Sequence, residues 1–176
     1  MKEEDIKRSA LVHGYEIFKD GSLFNINEVI KKSRLNKSSF YSVFKDKDDY
    51  ILQLLQYIDG IYKDKISEYK GEDGLLDRAA LCDYLMELAR MSFYFYSLAK
   101  GIDAPKKDLL QMTDAEAIKL TEQLKGVKTK PDIASFNKTL KFIEIIVLNL
   151  RYQDNDDYHK AIAYGVDKAC SFIFEE

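Results

Sequence analysis

Proline and glycine are scarce in this chain, which has two prolines and eight glycines among its 176 residues. A β-sandwich of many short strands needs frequent turn residues, so this scarcity favours long helices. Apolar residues make up 46% and charged residues 32% of the chain, a balance typical of a folded protein rather than a disordered segment. Because no segment alternates as a strand does, we expect an all-α protein.

Cysteine and long apolar runs are also scarce. The two cysteines, Cys82 and Cys170, lie far apart within apolar helical patterns, which predicts reduced core residues in a reducing compartment. The most apolar stretch, Phe142 to Leu150, includes Glu144 and Asn149 and is much shorter than the roughly twenty residues of a membrane span. The start of the chain shows no signal peptide. These absences predict a soluble cytoplasmic protein with no membrane partner.

Motifs for catalysis and metal binding are absent from the sequence. It contains no glycine-rich phosphate loop, no His-Glu-x-x-His and no Cys-x-x-Cys. The two histidines, His13 and His159, lie far apart on separate predicted helices. We therefore expect no enzymatic activity, no catalytic residue, no metal and no cofactor.

Positive charge is concentrated between Lys31 and Lys47, although the whole chain has a net charge of −3. That segment holds six lysine or arginine residues and a single carboxylate, Asp46. Two interpretations are open at this point: a solvated helix face, or a surface that binds phosphates.

Apolar spacing around this segment predicts three helices. The first ends before Gly21. Its apolar stripe consists of Ile6, Ala10, Gly14, Ile17 and Phe18. Two short helices follow, over 26–32 and 37–44, with Asn25 and Asn36 as their N-caps. Two helices joined by such a short turn are typical of a helix-turn-helix.

The remaining chain predicts further helices. Their predicted ranges are 47–69, 75–100, a helix after the Thr113-x-x-Glu116 capping box, 133–152 and 156–174, with Pro105 marking another start. Helix 47–69 would connect the helix-turn-helix to this remainder.

Three runs in the first part carry a family resemblance: Ile17 to Gly21, Asn25 to Ile30, and Leu35 to Asp48. The last contains the most specific pattern, Phe-Tyr-x-x-Phe-x-x-Lys-Asp. By these runs, residues 6 to about 57 resemble the N-terminal DNA-binding domain of TetR-family transcriptional regulators. Arg34 stands where that family usually has glycine in the turn. The resemblance implies a three-helix DNA-binding domain over 1–46 and a helical ligand-binding and dimerisation domain over 47–176.

The resemblance also implies that Tyr41 and Lys47 contact the DNA backbone. A recognition helix presents its first turns to base edges, where Lys37 would donate to guanine and serines would pair with several bases. A helix N-terminus beside Lys47 offers N–H groups to a phosphate, and Asn25 and Arg34 would add flanking contacts. The candidate DNA-binding residues are Asn25, Arg34, Asn36, Lys37, Ser38, Ser39, Tyr41, Ser42 and Lys47. The alternative is a core ring at Tyr41 and a solvated Lys47.

A single module reads few bases, so we expect a homodimer on a double-stranded, inverted-repeat operator. The last two helices have the apolar seams to form it. The candidate interface residues are Leu140, Ile143, Val147, Leu150, Ile162, Val166, Ala169 and Ile173. The alternative is that both helices form the core of one chain.

An aromatic segment from Tyr84 to Tyr96 predicts either a ligand pocket or a core, since pockets are mostly apolar with a few polar groups. The candidate pocket residues are Tyr84, Arg90, Met91, Tyr94 and Phe95. A ligand-responsive domain is implied by the resemblance. We therefore expect a repressor released by an unknown small-molecule effector. The alternative is a TetR-like helical dimer that acts through a protein partner or ligand with little DNA affinity.

Overall fold

The computed structural model describes residues 2–21, 24–100, 102, 109–149 and 156–175, and these residues are mostly helical. The helices are α1 (Glu3–Lys19), α2 (Ile26–Lys32), α3 (Lys37–Val43), α4 (Lys47–Lys65), α5 (Arg78–Ala99), α6 (Asp114–Thr121), α7 (Ile133–Asn149) and α8 (Asp156–Ser171), with a 3-10 turn at Ile66–Tyr69. β-pairing in the described ranges is limited to two isolated bridges. The predicted all-α class is confirmed.

The first helix has the buried stripe that its spacing predicts. Its buried residues are Ile6, Ala10, Gly14, Ile17 and Phe18. The helix ends before Gly21, whose φ of 67° lies in the left-handed region that glycine tolerates best. Three acidic residues in the first turn and a lysine in the last complement the helix dipole.

The second helix ends in a Schellman motif. The N–H of Leu35 donates to the carbonyl of Ile30 at 3.0 Å, and the N–H of Arg34 donates to that of Lys31 at 3.1 Å. Arg34 occupies the left-handed position with φ of 56°, the only non-glycine residue with positive φ in the described part of the chain. The turn is therefore of the kind that usually carries glycine, although an arginine occupies it.

The chain divides into two compact units, and the first comprises Met1–Ile61 and Tyr94–Lys106. In this unit α1 packs against α2 and α3. The rings of Phe40, Phe44 and Tyr50 form a buried cluster with centroids 4.8 to 5.0 Å apart. Most of α4 belongs to this unit, which therefore extends beyond the boundary at residue 46 that the sequence suggested.

Helices α1 and α4 approach closely where Tyr50 meets α1. The Tyr50 hydroxyl donates to the carbonyl of Ala10 at 3.0 Å. A methyl group at Gly14 would lie only 2.1 Å from that hydroxyl oxygen. Glycine at this position therefore allows a buried tyrosine to reach the α1 backbone.

The second unit comprises Tyr62–Phe93 and Lys107–Glu176. In it α8 packs against α7, and α6 packs against α7. A methyl group at Gly165 would lie 2.9 Å from Cγ1 of Ile143, so this glycine permits the close approach of α8 to α7. The capping box predicted at the start of α6 is present, with Thr113 and Glu116 bonded reciprocally.

Several helix ends differ from the predicted ones because of long-range backbone pairing. Leu76 bonds through both its N–H and its carbonyl, at 2.9 Å each, to the loop at residues 123–125, so α5 begins later than predicted. Ile173 accepts from Lys128 at 2.9 Å, which ends α8 before residue 174. The predicted start at Pro105 and the end of α7 beyond residue 149 lie outside the described residues.

Candidate nucleic-acid interface

The short helix α3 separates a buried aromatic face from an exposed polar one. Phe40 is buried against the first unit's core, and Phe44, just after the helix, is buried with it. Four polar side chains on the opposite side are exposed. These four, Lys37, Ser38, Tyr41 and Ser42, are called the α3 face from here on. Their spacing of 1, 3 and 1 keeps them on one side of two helical turns.

Tyr41 belongs to the surface rather than to the core. Its side chain is 43% exposed, and its ring meets Phe40 edge to face at a centroid distance of 5.1 Å. The Phe40 ring thereby fixes the plane of the tyrosine while the phenol remains accessible. The alternative of a core ring at this position does not hold for the structure.

The two asparagines act first as helix caps. The side-chain oxygen of Asn36 accepts from the N–H of Ser39 at 2.7 Å, and that of Asn25 accepts from Asn27 at 2.9 Å. The Ser42 hydroxyl donates to the carbonyl of Ser39 at 2.7 Å. The bonds of Asn36 and Ser42 hold the backbone and one side chain of α3 in place. The side chains of Lys37, Ser38 and Tyr41 take no part in these bonds.

Carboxylates occupy the N-terminus of α4, where the sequence predicted a phosphate site. The Asp46 carboxylate accepts from the N–H of Asp49, and the Asp49 carboxylate accepts from the N–H of Lys45, each at 2.9 Å. Hydrogen bonds from Gln53 and from the Lys45 backbone hold the pKa of Asp49 below its ordinary value. A phosphate here would meet the exposed Lys47 side chain but also two charged carboxylates.

The cations near the turn have different surroundings. Arg34 and Lys31 are exposed. Lys32 pairs with Glu28 one turn earlier, with the nitrogen and oxygen 3.6 Å apart and both side chains about two-fifths exposed, at 41% and 42%. Such an exposed pair contributes little stability. All six cations of the positive segment are thus accessible to solvent.

The five residues predicted as a ligand pocket do not share one environment. Tyr84 and Met91 are buried in the second unit, and the Tyr84 hydroxyl donates to the carbonyl of Tyr62 at 2.9 Å. Arg90 is exposed in that unit.

The other two, Tyr94 and Phe95, are counted in the first unit. Phe95 is buried, and Tyr94 is half-buried with its ring against Gly21, where an added methyl group would lie 3.1 Å away. The three buried side chains belong to the interior of the chain, and the ligand pocket expected from the sequence stays a prediction.

The predicted dimer residues are buried inside a single chain. Leu140, Ile143, Val147, Ile162, Val166, Ala169 and Ile173 are all nearly inaccessible to solvent. Ile143 packs against Gly165 of α8, and the other six are likewise enclosed within one chain, so a second copy cannot reach them in this arrangement. This corrects the helix face that the sequence assigned to a partner chain. The eighth residue, Leu150, lies outside the described residues.

The accessible apolar surface of α7 and α8 is on the other side of both helices. Phe142 is 62%, Ile145 49% and Tyr164 75% exposed. With the small residues Ala161 and Gly165 they line a shallow groove of about 770 Å³, called the α7–α8 groove from here on. Neither Phe142 nor Ile145 is among the interface residues expected from the sequence.

Within the described ranges, no helix is both long and apolar enough to cross a membrane. Comparisons of this chain with protein-family models, with curated proteins and with solved structures found no match.

Proposed function

We propose that this chain is a DNA-binding transcriptional regulator of the TetR type, probing operator DNA as a homodimer with its α3 face. The observation that carries the proposal is the two-sided character of α3. Two phenylalanines anchor the helix in the core, and the α3 face presents a lysine, two serines and a tyrosine to solvent. A helix presented in this way can enter the major groove of DNA with its first turns on the base edges.

The chemistry of the α3 face suits both parts of a DNA contact. Lys37 and Ser38 lie in the first turn, where side chains of a recognition helix reach bases; lysine donates to guanine and serine to several bases. Tyr41 and Ser42 lie one turn later with hydroxyl groups that can donate to phosphate oxygens. The exposed Arg34 at the turn adds a charge for the backbone.

The α7–α8 groove supports the dimer in this proposal. It belongs to the second unit, and its exposed Phe142, Ile145 and Tyr164 form an apolar surface that a monomer would leave in water. A second copy of the same helices would cover it with an isologous contact. The buried residues of α7 and α8 would then support this surface rather than form it.

Release by a small-molecule effector remains part of the proposal. An effector acts on such a dimer only if it binds one conformation more tightly than the other. Tyr84, Met91 and Phe95 are buried, so an effector that contacts any of them must reach the interior of the chain.

DNA binding is tested by fluorescence anisotropy on a duplex from upstream of the protein's own gene, against a scrambled duplex, at two salt concentrations. We expect preference for the native duplex, weaker binding at the higher salt, and loss of the preference in a Tyr41→Ala, Lys47→Ala double variant. Lys19→Ala is the matched control, because it removes an exposed lysine from α1 rather than from the α3 region. Equal binding of both duplexes by the wild type, or equal losses in the double variant and the control, contradicts the proposal.

Dimerisation is tested separately by light scattering on a Phe142→Lys, Tyr164→Lys double variant. We expect a folded monomer, since charges in the α7–α8 groove oppose burial against a second copy. Ile118→Lys is the control, because Ile118 is also an exposed apolar residue, at 51%, but lies on α6. A double variant that stays dimeric places the interface elsewhere.

A second candidate function is binding of a protein partner through the same helices with little DNA affinity. The observation that favours it is the pair of carboxylates, Asp46 and Asp49, at the N-terminus of α4. They repel the phosphate that Lys47 would attract. Absence of salt-dependent binding to any duplex would favour this candidate, because phosphate contacts always release counterions.

A further inference from the structure

The two cysteines of the chain meet inside the second unit. Cys82 lies in the second turn of α5 and Cys170 in the last turn of α8, and their sulfur atoms are 3.2 Å apart although they are 88 residues apart in sequence. Both are free thiols. Cys170 is buried, whereas Cys82 is only partly buried. Cys82 is therefore the more accessible residue of the pair, and its sulfur lies next to that of the buried Cys170.

The surroundings of the pair make the two thiols unequal. The hydrogen bond between the sulfurs lowers the pKa of Cys82, and the Arg78 guanidinium lowers it further, against the opposing effects of burial and of Asp167 and Asp83. The same hydrogen bond, together with burial, raises the pKa of Cys170. Cys82 is therefore the first of the two to become a thiolate, with the remaining S–H of Cys170 donating to it.

Arg78 is held beside Cys82 by an ion pair. Its Nη2 lies 2.9 Å from Oδ1 of Asp167, one turn of α8 before Cys170. Arg78 and Cys82 are four residues apart on α5, so their side chains lie on the same face of that helix. Asp167 raises the pKa of Cys82 and Arg78 lowers it, so the two members of the ion pair have opposite effects on this thiol.

We propose that Cys82 and Cys170 form a dithiol–disulfide site, in which a hydroperoxide oxidises Cys82 and Cys170 resolves the product as an intramolecular disulfide. The sulfurs need to approach by only about an ångström to reach disulfide bonding distance. Rotation of the two side chains about their Cα–Cβ bonds supplies movement of that size. The site joins α5 to α8 within one chain and does not depend on DNA binding.

The oxidation proceeds in two balanced steps. The Cys82 thiolate attacks one oxygen of the peroxide, the O–O bond breaks, and Cys82 becomes a sulfenic acid while hydroxide leaves and takes up a proton to form water. The Cys170 sulfur then attacks the Cys82 sulfur, the S–O bond breaks, and the Cys170 proton leaves with the hydroxide as a second water. Two thiols are oxidised to one disulfide, and hydrogen peroxide is reduced to two waters. A dithiol reductant reverses the change by thiol–disulfide exchange.

The wild-type chain itself provides the first test. The purified protein is treated with hydrogen peroxide, unfolded in a maleimide reagent that labels every remaining thiol, and weighed as an intact chain. We expect a monomeric chain with no label that has lost two hydrogen atoms, and recovery of two labels after treatment with a dithiol reductant. Two labelled thiols after peroxide, or a disulfide that joins two chains, overturns the proposal.

Two single-cysteine variants then separate the roles of the sulfurs. Cys170→Ala removes the resolving thiol and fills the buried position with an apolar group, so we expect a sulfenic acid at Cys82 that a dimedone probe traps. In Cys82→Ser the buried Cys170 should give no dimedone adduct. Far-ultraviolet circular dichroism establishes that each variant is folded. An adduct on Cys170, or none on Cys82, contradicts the assignment.

A pair of charge variants tests whether Arg78 activates Cys82. Arg78→Gln and Asp167→Asn both break the same ion pair, but the first removes the positive charge near Cys82 and the second removes a negative one. In the Cys170→Ala background we expect dimedone labelling to slow several-fold with Arg78→Gln and not to slow with Asp167→Asn. If the ion pair only maintains structure, both variants change the rate in the same direction, and Arg78 has no part in the activation.

Discussion

The turn between α2 and α3 is strained by an arginine, and its replacement by glycine should stabilise the protein. Arg34 occupies the left-handed position of a complete Schellman motif, with φ of 56°. A side chain at this φ brings its Cβ close to the following carbonyl, whereas glycine has no Cβ. The Arg34→Gly variant therefore keeps both capping hydrogen bonds and removes the steric cost.

The size of the effect follows from two opposing contributions. A non-glycine residue in the left-handed region costs about 1–2 kcal/mol. Glycine makes the unfolded chain more flexible, which offsets about 0.4–1 kcal/mol of that gain. We expect Arg34→Gly to raise the free energy of unfolding by about 0.5–1 kcal/mol, which multiplies the ratio of folded to unfolded protein by roughly 2–5.

Urea unfolding followed by circular dichroism measures this change, with Lys31→Gly as the matched control. Lys31 is also exposed and lies in the same short helix, but its backbone is ordinary α-helix. The same substitution there should lower the free energy of unfolding by about 1 kcal/mol. The two variants lose the same type of charge from the same region, so only the backbone conformation distinguishes them.

Arg34→Gly also separates stability from DNA binding. If Arg34 contacts a phosphate, the variant should bind the operator less tightly, and the slope of log affinity against log salt should decrease by about 0.9. A variant that is more stable and binds more weakly supports both the strained turn and the contact. A loss of stability equal to that of Lys31→Gly would refute the strain argument.

The remaining predictions concern two glycines and one buried carboxylate. Gly14→Ala should lower the melting temperature and cost roughly 1–3 kcal/mol, because the new methyl group would lie 2.1 Å from the Tyr50 hydroxyl. Gly60→Ala, also in a helix but with nothing within 4 Å of the added methyl, should instead raise stability, and a melting temperature that falls equally in both contradicts the packing argument. Burial raises the pKa of Glu144 above 4.5, so the folded chain holds that proton more tightly than the unfolded chain. The resulting stability is complete below pH 4.5 and is lost as the pH rises through the higher folded pKa. Glu144→Gln stays uncharged, so it should flatten this part of the curve of unfolding free energy against pH. A curve identical to that of the wild type would show that ionisation of Glu144 does not change the free energy of unfolding.

Features that depend on near neighbours could be predicted from the sequence. The apolar stripe of α1, the N-caps Asn25 and Asn36, and the capping box at Thr113 all match the structure. Each arises from contacts between residues two to four positions apart, or from one face of one helix. At Tyr41 the sequence left two environments open, and the structure exposes the ring while Phe40 beside it takes the inward position.

The candidate site was predictable only in part. The polar residues of the α3 face follow from the helical spacing around Phe40. The carboxylates that close the N-terminus of α4 were visible in the sequence as Asp46 and Asp49, but which N–H groups they bond depends on the path of the backbone. The family that this chain resembles usually has glycine at the position of Arg34, which indicated an unusual backbone conformation there. Only the φ of the structure establishes that conformation.

By itself the sequence determined the class, the helices and their caps, because propensity and spacing act over a few residues of one chain segment. Only the tertiary structure decided which side of α7 is buried, since Leu140 and Phe142 are both apolar and differ only in what packs against them. It also decided the late start of α5, through the pairing of Leu76 with Leu124, and the meeting of Cys82 with Cys170. These are contacts between residues distant in sequence, and no local pattern encodes a partner that folding alone brings near.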